Sequence, residues 1–299
     1  NKLWNANNFL IHNKCIFKNT KKPPKSKINI NKWIYFELLN TKKMIEKNIK
    51  DYRFDEAARN IYQFVWHSYC DWYLELSKTI LYSDNKKNIN EVKEVASYIF
   101  KEILVLLHPF IPFITEEIWL KNKLDNSNKN FLMLSNWPEG KIKMDKDSRD
   151  VENLIHIISE IRSFKNQLNI SPGSFIDVSL SKIDRKNRDF LNKNETVLKK
   201  LGRISNFLSE DINKPFASLV LKGNVLKLYF EENIDLNLIK ENLLNKQSKY
   251  QAEMDKIQSR LKNKDFVKRA PKHIVEQEKT NYNKLQNDIK KISLTVKSL

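Results

Sequence analysis

The last 64 residues constrain the fold most. Leu236, Ile239, Leu243, Tyr250, Ile257 and Leu261 fall on one helical seam, and after a basic break at 262–273 a second seam follows. There Leu285, Ile289, Ile292, Val296 and Leu299 alternate steps of four and three. Such a repeat buries its apolar stripe only against another helix. Two arms of similar length around one break therefore predict an antiparallel coiled-coil hairpin. An arm of about 25 residues reaches roughly 38 Å at 1.5 Å per residue.

Helices also dominate what precedes the arm. Gly is scarce, 4 residues in 299, which disfavours Gly-rich phosphate loops and favours long helices. Residues 1–12 read as the end of a helix, 13–31 as a loop broken by Pro23-Pro24, and 31–50 as a helix with Ile34, Leu38, Ile45 and Ile49 on one face. The strongest pattern is AARNIYQFVWHSYCDWYLELSK, a helix capped by Asp55 and running to about Tyr82. A further helix spans 90–107, and Thr115 with Glu116 and Glu117 opens a short one. Residues 32–122 are thus expected to form an antiparallel bundle. After a polar connection at 123–150, a helix at 151–168, a strand at 175–180, a helical stretch at 185–201 and a hairpin of 217–222 with 225–230 make a small α/β unit. The expected fold is mainly α. Its domains are a helical domain at 1–149, a small α/β connecting domain at 150–234 and the coiled-coil arm at 235–299.

Charge points to a polyanion. The formal net charge is +18. Residues 1–50 carry 12 Lys/Arg against 2 Asp/Glu, and residues 236–299 carry 15 against 7, whereas the 185 residues between them are balanced overall. AT-rich coding can raise lysine everywhere, but it does not place the excess at two ends. Two basic ends fit two footprints on nucleic acid. Cys15 and Cys70 form no Cys-x-x-Cys unit and suggest a reducing compartment. No apolar run reaches the 18–20 residues, roughly, of a membrane span. The five histidines and two cysteines never approach metal-ligand spacing, and no nucleophile stands beside an apparent base. The chain opens mid-pattern without Met, as expected of a fragment.

Four strings then converge: NKLWNA, the CDWYLEL run, LLHPFIPFITEEIW, and FVKRAPKHIVEQEK followed by a heptad helix. The middle two resemble the anticodon-binding bundle shared by the valine, isoleucine and leucine class I aminoacyl-tRNA synthetases. The last resembles the C-terminal coiled-coil arm of the valyl-tRNA synthetase family, and ISEIRSFKNQLNISP is similar to the segment before that arm. The resemblance covers essentially the whole chain. It implies a valine–tRNA ligase whose catalytic and editing parts lie elsewhere, so no catalytic residue and no cofactor is expected in these residues. ATP and Mg²⁺ would serve the parent enzyme. It also implies valine tRNA as partner, a monomer without membrane contact, and a cytoplasmic location. The His-Ile-Gly-His and Lys-Met-Ser-Lys-Ser signatures are absent, which that family places upstream of NKLWNA.

Two departures are visible. Where the family repeats Arg, this chain has Arg162 then Lys165, and where it has Asp-Arg-Trp-Ile this chain has Asn31-Lys32-Trp33-Ile34. Both keep a cation, but Lys lacks the planar fork that grips phosphate bidentately.

The expected tRNA contacts divide into four groups. Lys14, Lys18 and Lys32 belong to a seven-lysine stretch with no acid and would neutralise anticodon-stem phosphates. Trp33 would stack an unpaired base for roughly 1–3 kcal/mol, or else serve as core. Arg162 and Lys165, at i and i+3, would meet backbone phosphate or pair with carboxylates. Lys264, Lys268, Arg269 and Lys272 lie in the arm's break and would meet the folded corner of tRNA. Trp66, Asp71, Trp72, Tyr73 and Glu75 are expected mostly inside the bundle, with Asp71 satisfying a buried Trp or Tyr. His108, Pro109, Phe110, Phe113 and Trp119 are expected to shape a helix corner. Rival readings are a free-standing helical RNA-binding or scaffold protein, and the equivalent part of an isoleucine or leucine synthetase.

Overall fold

The computed structural model describes residues 1–17, 23–122, 131–140, 145–168, 170–181, 183–214, 216–221, 224–230, 236–263 and 271–298. It divides into two compact units, Asn1–Ile155 and His156–Leu299.

The first unit is the bundle. Its helices are α1 (Lys2–His12), α2 (Asn29–Lys50), α3 (Phe54–Gln63), α4 (Leu74–Leu81), α5 (Lys86–Leu107) and α6 (Pro112–Lys121). Helix α5 is the axis: Val95, Ile99, Phe100, Ile103, Leu104 and Leu106 are buried, and α1, α2, α4 and α6 all touch it. The side chain of Asn85 caps it by accepting from the Asn88 N–H. Between α3 and α4 the chain runs on through ten residues of π-helix, Phe64–Tyr73. Helix α3 begins after Arg53, not at Asp55, which instead sits in its first turn with Glu56. There the two carboxylates face the partial positive charge of the helix end. Thr115 likewise does not open α6. Pro112 does, as a residue with no N–H to leave unpaired, and the Thr115 hydroxyl donates to the Ile111 and Pro112 carbonyls.

The His-Pro-Phe corner at 108–110 is closed by polar bonds. His108 Nδ1 lies 2.9 Å from the Thr115 hydroxyl, and Glu116 accepts the Leu132 N–H on both carboxylate oxygens at 3.1 Å. This pins a short 3₁₀ turn, Leu132–Leu134, against α6. Trp119 is buried there as expected, whereas Phe113 is 90% exposed and takes no part in the corner.

The second unit joins a sheet to the arm. Helix α7 (Lys146–Gln167) starts earlier than the apolar pattern suggested and contains the division between the units. Strand β1 (Ile176–Ser179) is followed by α8 (Arg185–Lys193), α9 (Glu195–Gly202), β2 (Ile204–Leu208), β3 (Phe216–Leu221) and β4 (Asn224–Phe230). The sheet order is β2-β1-β4-β3, with β1 parallel to β2 and the other pairs antiparallel. The parallel pair needs a long crossover, which α8 and α9 supply. Strand β2 carries little apolar alternation and was not expected: it reads Ile-Ser-Asn-Phe-Leu, with Ser205 and Asn206 exposed.

Helices α10 (Leu236–Lys262) and α11 (Lys272–Ser298), 27 residues each, pack together as the expected hairpin. Ile239, Leu243, Ile257 and Ile292 are buried along the seam. Leu299 lies outside the described residues. The expected boundary at 234/235 falls inside this second unit, because α11 returns to pack on β3.

Candidate nucleic-acid interface

The first basic region is built around one carboxylate. Glu91, on α5, accepts from the Ser26 hydroxyl at 2.6 Å, the Lys27 and Ile28 N–H groups at 2.9 Å each, and the Asn31 side-chain amide at 3.1 Å. Ile28 precedes α2, so Glu91 supplies the acceptor that the helix's own first residues lack. Burial pushes Glu91 upward, yet those four donors outweigh it and hold the carboxyl below its ordinary value. Asn31 also accepts from the buried Tyr73 hydroxyl at 2.8 Å, which ties the loop to the π-helix. Lys25 and Lys27 are exposed on the segment held this way. They belong to the lysine-rich stretch, and sequence alone gave no sign that a carboxylate more than 60 residues away positions them.

Lys14 is exposed and left-handed (φ 56°) just past the end of α1, where the Cys15 N–H returns to the Leu10 carbonyl at 2.9 Å. Lys18 lies outside the described residues. Lys32 is half-buried and ion-paired to Asp147, with Asp145 3.9 Å away. The hydrogen bond to Asp147, with the two carboxylates' charge, raises the Lys32 ammonium's pKa. A phosphate reaching Lys32 would have to compete with both acids.

Trp33 is only 3% exposed, and its indole N–H has no hydrogen-bond partner among the described residues. A base could stack on it only if the ring left the core. The physical reason is helix phase: Trp33 shares the inward face with Ile30, Ile34 and Leu38, all buried.

Arg162 and Lys165 are engaged within their own unit. The Arg162 fork donates through Nε (3.0 Å) and Nη2 (2.9 Å) to the Leu201 carbonyl, which lies at the end of α9. Lys165 is 2% exposed and its ammonium donates to the Ser174 carbonyl at 2.5 Å. Both are therefore placed as fasteners, α7 to α9 and α7 to the loop before β1. A cation at a helix C-terminus meets the negative end of the dipole, and a run of basic residues does not reveal that use.

In the arm, Lys264, Lys268 and Arg269 lie outside the described residues. Lys272 opens α11, directly after Pro271, whose carbonyl accepts the Ile274 N–H. Lys262 is exposed at the far end of α10. The arm's two helices are held in register by polar pairs as well as by the seam: Gln247 to Ser293 at 2.9 Å, and Arg260 to Glu278 at 2.7 Å.

The Trp66 group departs from expectation. Tyr73 is buried, but Trp66 is partly exposed and stacks on Tyr62 at 5.0 Å, with the Lys2 ammonium 4.2 Å from its ring. Asp71 is half-exposed and pairs with Lys2 at 2.6 Å and with His67 at 3.4 Å. It satisfies no buried ring: Tyr69 donates to the Ala96 carbonyl and Tyr73 to Asn31. The ten π residues explain the shift, since an i→i+5 ladder turns side chains away from the 3.6 phase the spacing implied. Burial raises the thiols of Cys15 and Cys70 to about 11, which disfavours thiolate chemistry at neutral pH. Among the described residues no group of three or more His, Cys, Asp or Glu is placed to hold a metal, and no helix is long and apolar enough to cross a membrane.

Comparison with known proteins matches most of the bundle and the arm to family models. Residues 31–180 match the family model described as the anticodon-binding domain of tRNA ligase, and residues 235–299 match the valyl tRNA synthetase tRNA binding arm. Similar relatives include the valine–tRNA ligase of Pelagibacter ubique, 61% identical over 299 residues, all of this chain and 34% of the relative. The valine–tRNA ligases of Bartonella quintana and Zymomonas mobilis are 34% and 32% identical, each over all of this chain and 33% and 34% of the relative. The chain thus spans about a third of the length of the curated relatives it matches.

Proposed function

This chain belongs to the valine–tRNA ligase family, and from that premise we propose that it is the part of such a ligase that holds tRNA. The observation that carries the reading is the order of its two matches: an anticodon-binding domain over residues 31–180, which begins just after the segment carrying Lys14, Lys25 and Lys27, then a tRNA-binding arm over residues 235–299. The three segments 1–149, 150–234 and 235–299 then divide the work into anticodon recognition, connection and grip on the folded corner. Lys264, Lys268, Arg269 and Lys272 are the arm's phosphate contacts. The chemistry of the whole ligase is ATP-dependent attachment of valine to its tRNA, with ATP and Mg²⁺ used outside these residues. The contribution of the bundle and arm is positioning, which brings the acceptor end to a remote reaction centre. On this reading the enzyme works in the cytoplasm as a monomer.

The test is binding of valine tRNA against a panel of other tRNAs, measured across a salt series. The expected result is preference for valine tRNA at every salt concentration, on top of a steep common loss of affinity as phosphate contacts are screened. Equal affinity for all tRNAs would leave only non-specific electrostatic attachment and would overturn the anticodon reading.

A further inference from the structure

The balanced middle of the chain hides a local excess of charge. Residues 185–203, the crossover that joins β1 to β2, hold seven Lys/Arg against two Asp/Glu. They fold as α8 and α9, which meet at Asn194. Leu191 and Leu198 are buried on one side. The other side is an exposed stripe at alternating steps of three and four residues: Lys186, Asp189, Lys193, Thr196, Lys200 and Arg203. Its lysines recur every seven residues, about 10 Å at 1.5 Å per residue. A merely solvated helix face alternates charge signs, whereas this one carries four cations and one acid. Two neighbouring carboxylates are occupied elsewhere. Asp184 caps α8 by accepting the Asn187 N–H at 2.9 Å, and Glu195 pairs with Lys199 at 2.7 Å, off the stripe.

The stripe ends on a built pair. Arg203 follows α9 in the left-handed region (φ 55°, ψ 54°), where glycine is the ordinary residue and an L side chain is strained. Its guanidinium lies over the ring of the partly exposed Phe175, 5.5 Å from the centroid. The backbone beside both residues is fixed. Arg162 holds the Leu201 carbonyl, Lys165 holds the Ser174 carbonyl, and the Arg203 carbonyl accepts the Ile176 N–H at 3.1 Å. Asp177, two residues along β1 from Phe175, accepts from the Asn206 amide at 3.0 Å. Glu231 and Glu232, which follow β4, lie outside the described residues. A guanidinium stacked on one face keeps its edge of N–H donors for a planar, bidentate anion. Strain retained for an exposed cation, on a backbone fixed on both sides, marks a site that faces a ligand.

We infer that the outer stripe of α8 and α9, ending at Arg203, is a further phosphate-binding surface of this ligase and takes the backbone of its tRNA. Charge selects a polyanion. Position selects tRNA: the anticodon-binding match ends at residue 180 and the arm match begins at 235, so the stripe lies in the stretch of chain between two tRNA-holding parts and outside both matches. Arg162 and Lys165 then serve tRNA as positioning residues, by holding the Arg203–Phe175 pair and not by touching phosphate. The inference rests on the functional reading above.

The experiment measures binding of valine tRNA to the full-length ligase across a salt series, for Arg203→Gly and for Lys186→Gln combined with Lys193→Gln. Thermal unfolding of each variant is followed alongside. Glycine adopts the left-handed conformation freely, so Arg203→Gly should melt near the wild-type temperature while its salt slope falls by about 1. The lysine pair should lower the slope by about 2 with no change in melting. An unchanged slope in either folded variant overturns the inference. For Arg203→Gly, a lower melting temperature with the slope unchanged would assign the guanidinium to a carboxylate of the protein, Glu231 or Glu232 among them. Should that variant not fold, the lysine pair decides alone by the same measure. Protection of tRNA phosphates against ethylnitrosourea locates the contact. A discrete set of phosphates should lose protection in the variants, and a lower slope with an unaltered pattern means long-range attraction only and overturns the surface. The two readings fail separately. Wild-type preference for valine tRNA with unchanged variant slopes overturns the stripe alone. Equal wild-type affinity for all tRNAs, with the slopes lowered in the variants, overturns the anticodon reading alone.

Discussion

At the scale of single residues, Glu91 does more to shape the basic loop than any lysine in it. Its carboxylate gathers four donors from a segment that would otherwise end in unpaired N–H groups. Replacing it by Gln keeps one oxygen that can accept at the point where the four donors converge but removes the charge that strengthens those bonds. Charge-assisted hydrogen bonds of this kind are worth about 1.5–3 kcal/mol each, with strong overlap among bonds to one oxygen. Glu91→Gln is therefore expected to cost about 1–3 kcal/mol in denaturant unfolding at neutral pH. The folded carboxyl lies below its ordinary value of 4.5, so its stabilisation is present above that value and fades as pH falls through the folded pKa. The difference between wild type and Glu91→Gln should then be full at pH 7 and shrink in acid below about pH 4. A difference independent of pH would show that shape rather than charge holds the loop. Trp33 carries the complementary lesson. A Trp beside lysines has the composition of a base-stacking site, but only helix phase decides whether the ring meets solvent, and here it meets Ile30, Ile34 and Leu38.

At the scale of elements, the heptad seam is the clearest case of pattern becoming structure. Leu243 is 1% exposed against α11. A Leu→Ala change at such a site leaves a cavity and costs about 2–5 kcal/mol. Leu243→Ala should speed amide hydrogen exchange through α10 and α11 and leave α2 and α5 protected as before, because arm and bundle belong to different compact units. Exchange rising equally in α5 would mean that the two units unfold together. The π-helix is the opposite case. Its residues, Phe-Val-Trp-His-Ser-Tyr-Cys-Asp-Trp-Tyr, continue a helical pattern without a break, so the change of ladder is silent in the sequence. It takes Trp66 and Asp71 outward while leaving Tyr69 and Tyr73 buried.

At the scale of the whole molecule, charge separates into two regions on two units. The basic end of the arm lies far along a hairpin whose helices run about 40 Å at 1.5 Å per residue. Lys268 and Arg269 lie outside the described residues. Reversing both, Lys268→Glu with Arg269→Glu, in the full-length ligase should raise KM for tRNA about ten-fold or more and reduce the salt slope of tRNA binding by about 2. Valine-dependent pyrophosphate exchange without tRNA should not change. Loss of that exchange would mean the arm serves something other than tRNA grip.

The sequence by itself determined the helical bundle, the hairpin arm and three of the sheet's four strands, because each rests on local periodicity: a stripe every 3.5 or 3.6 residues, alternation every two, and turn residues between. Strand β2, with Ser205 and Asn206 exposed, lacks that alternation, and the family was legible from motif strings rather than from periodicity. The residues assigned to tRNA were less legible. Arg162 grips a helix-end carbonyl, Lys165 is buried on the Ser174 carbonyl of the loop before β1, and Lys32 is matched by Asp145 and Asp147, while Lys25 and Lys27 stand out because Glu91 holds their segment. A side chain's charge is written in its identity, but its partner is chosen by what the fold brings within hydrogen-bond reach. In a chain this rich in lysine, only the tertiary structure decides which cations the protein has already spent on itself.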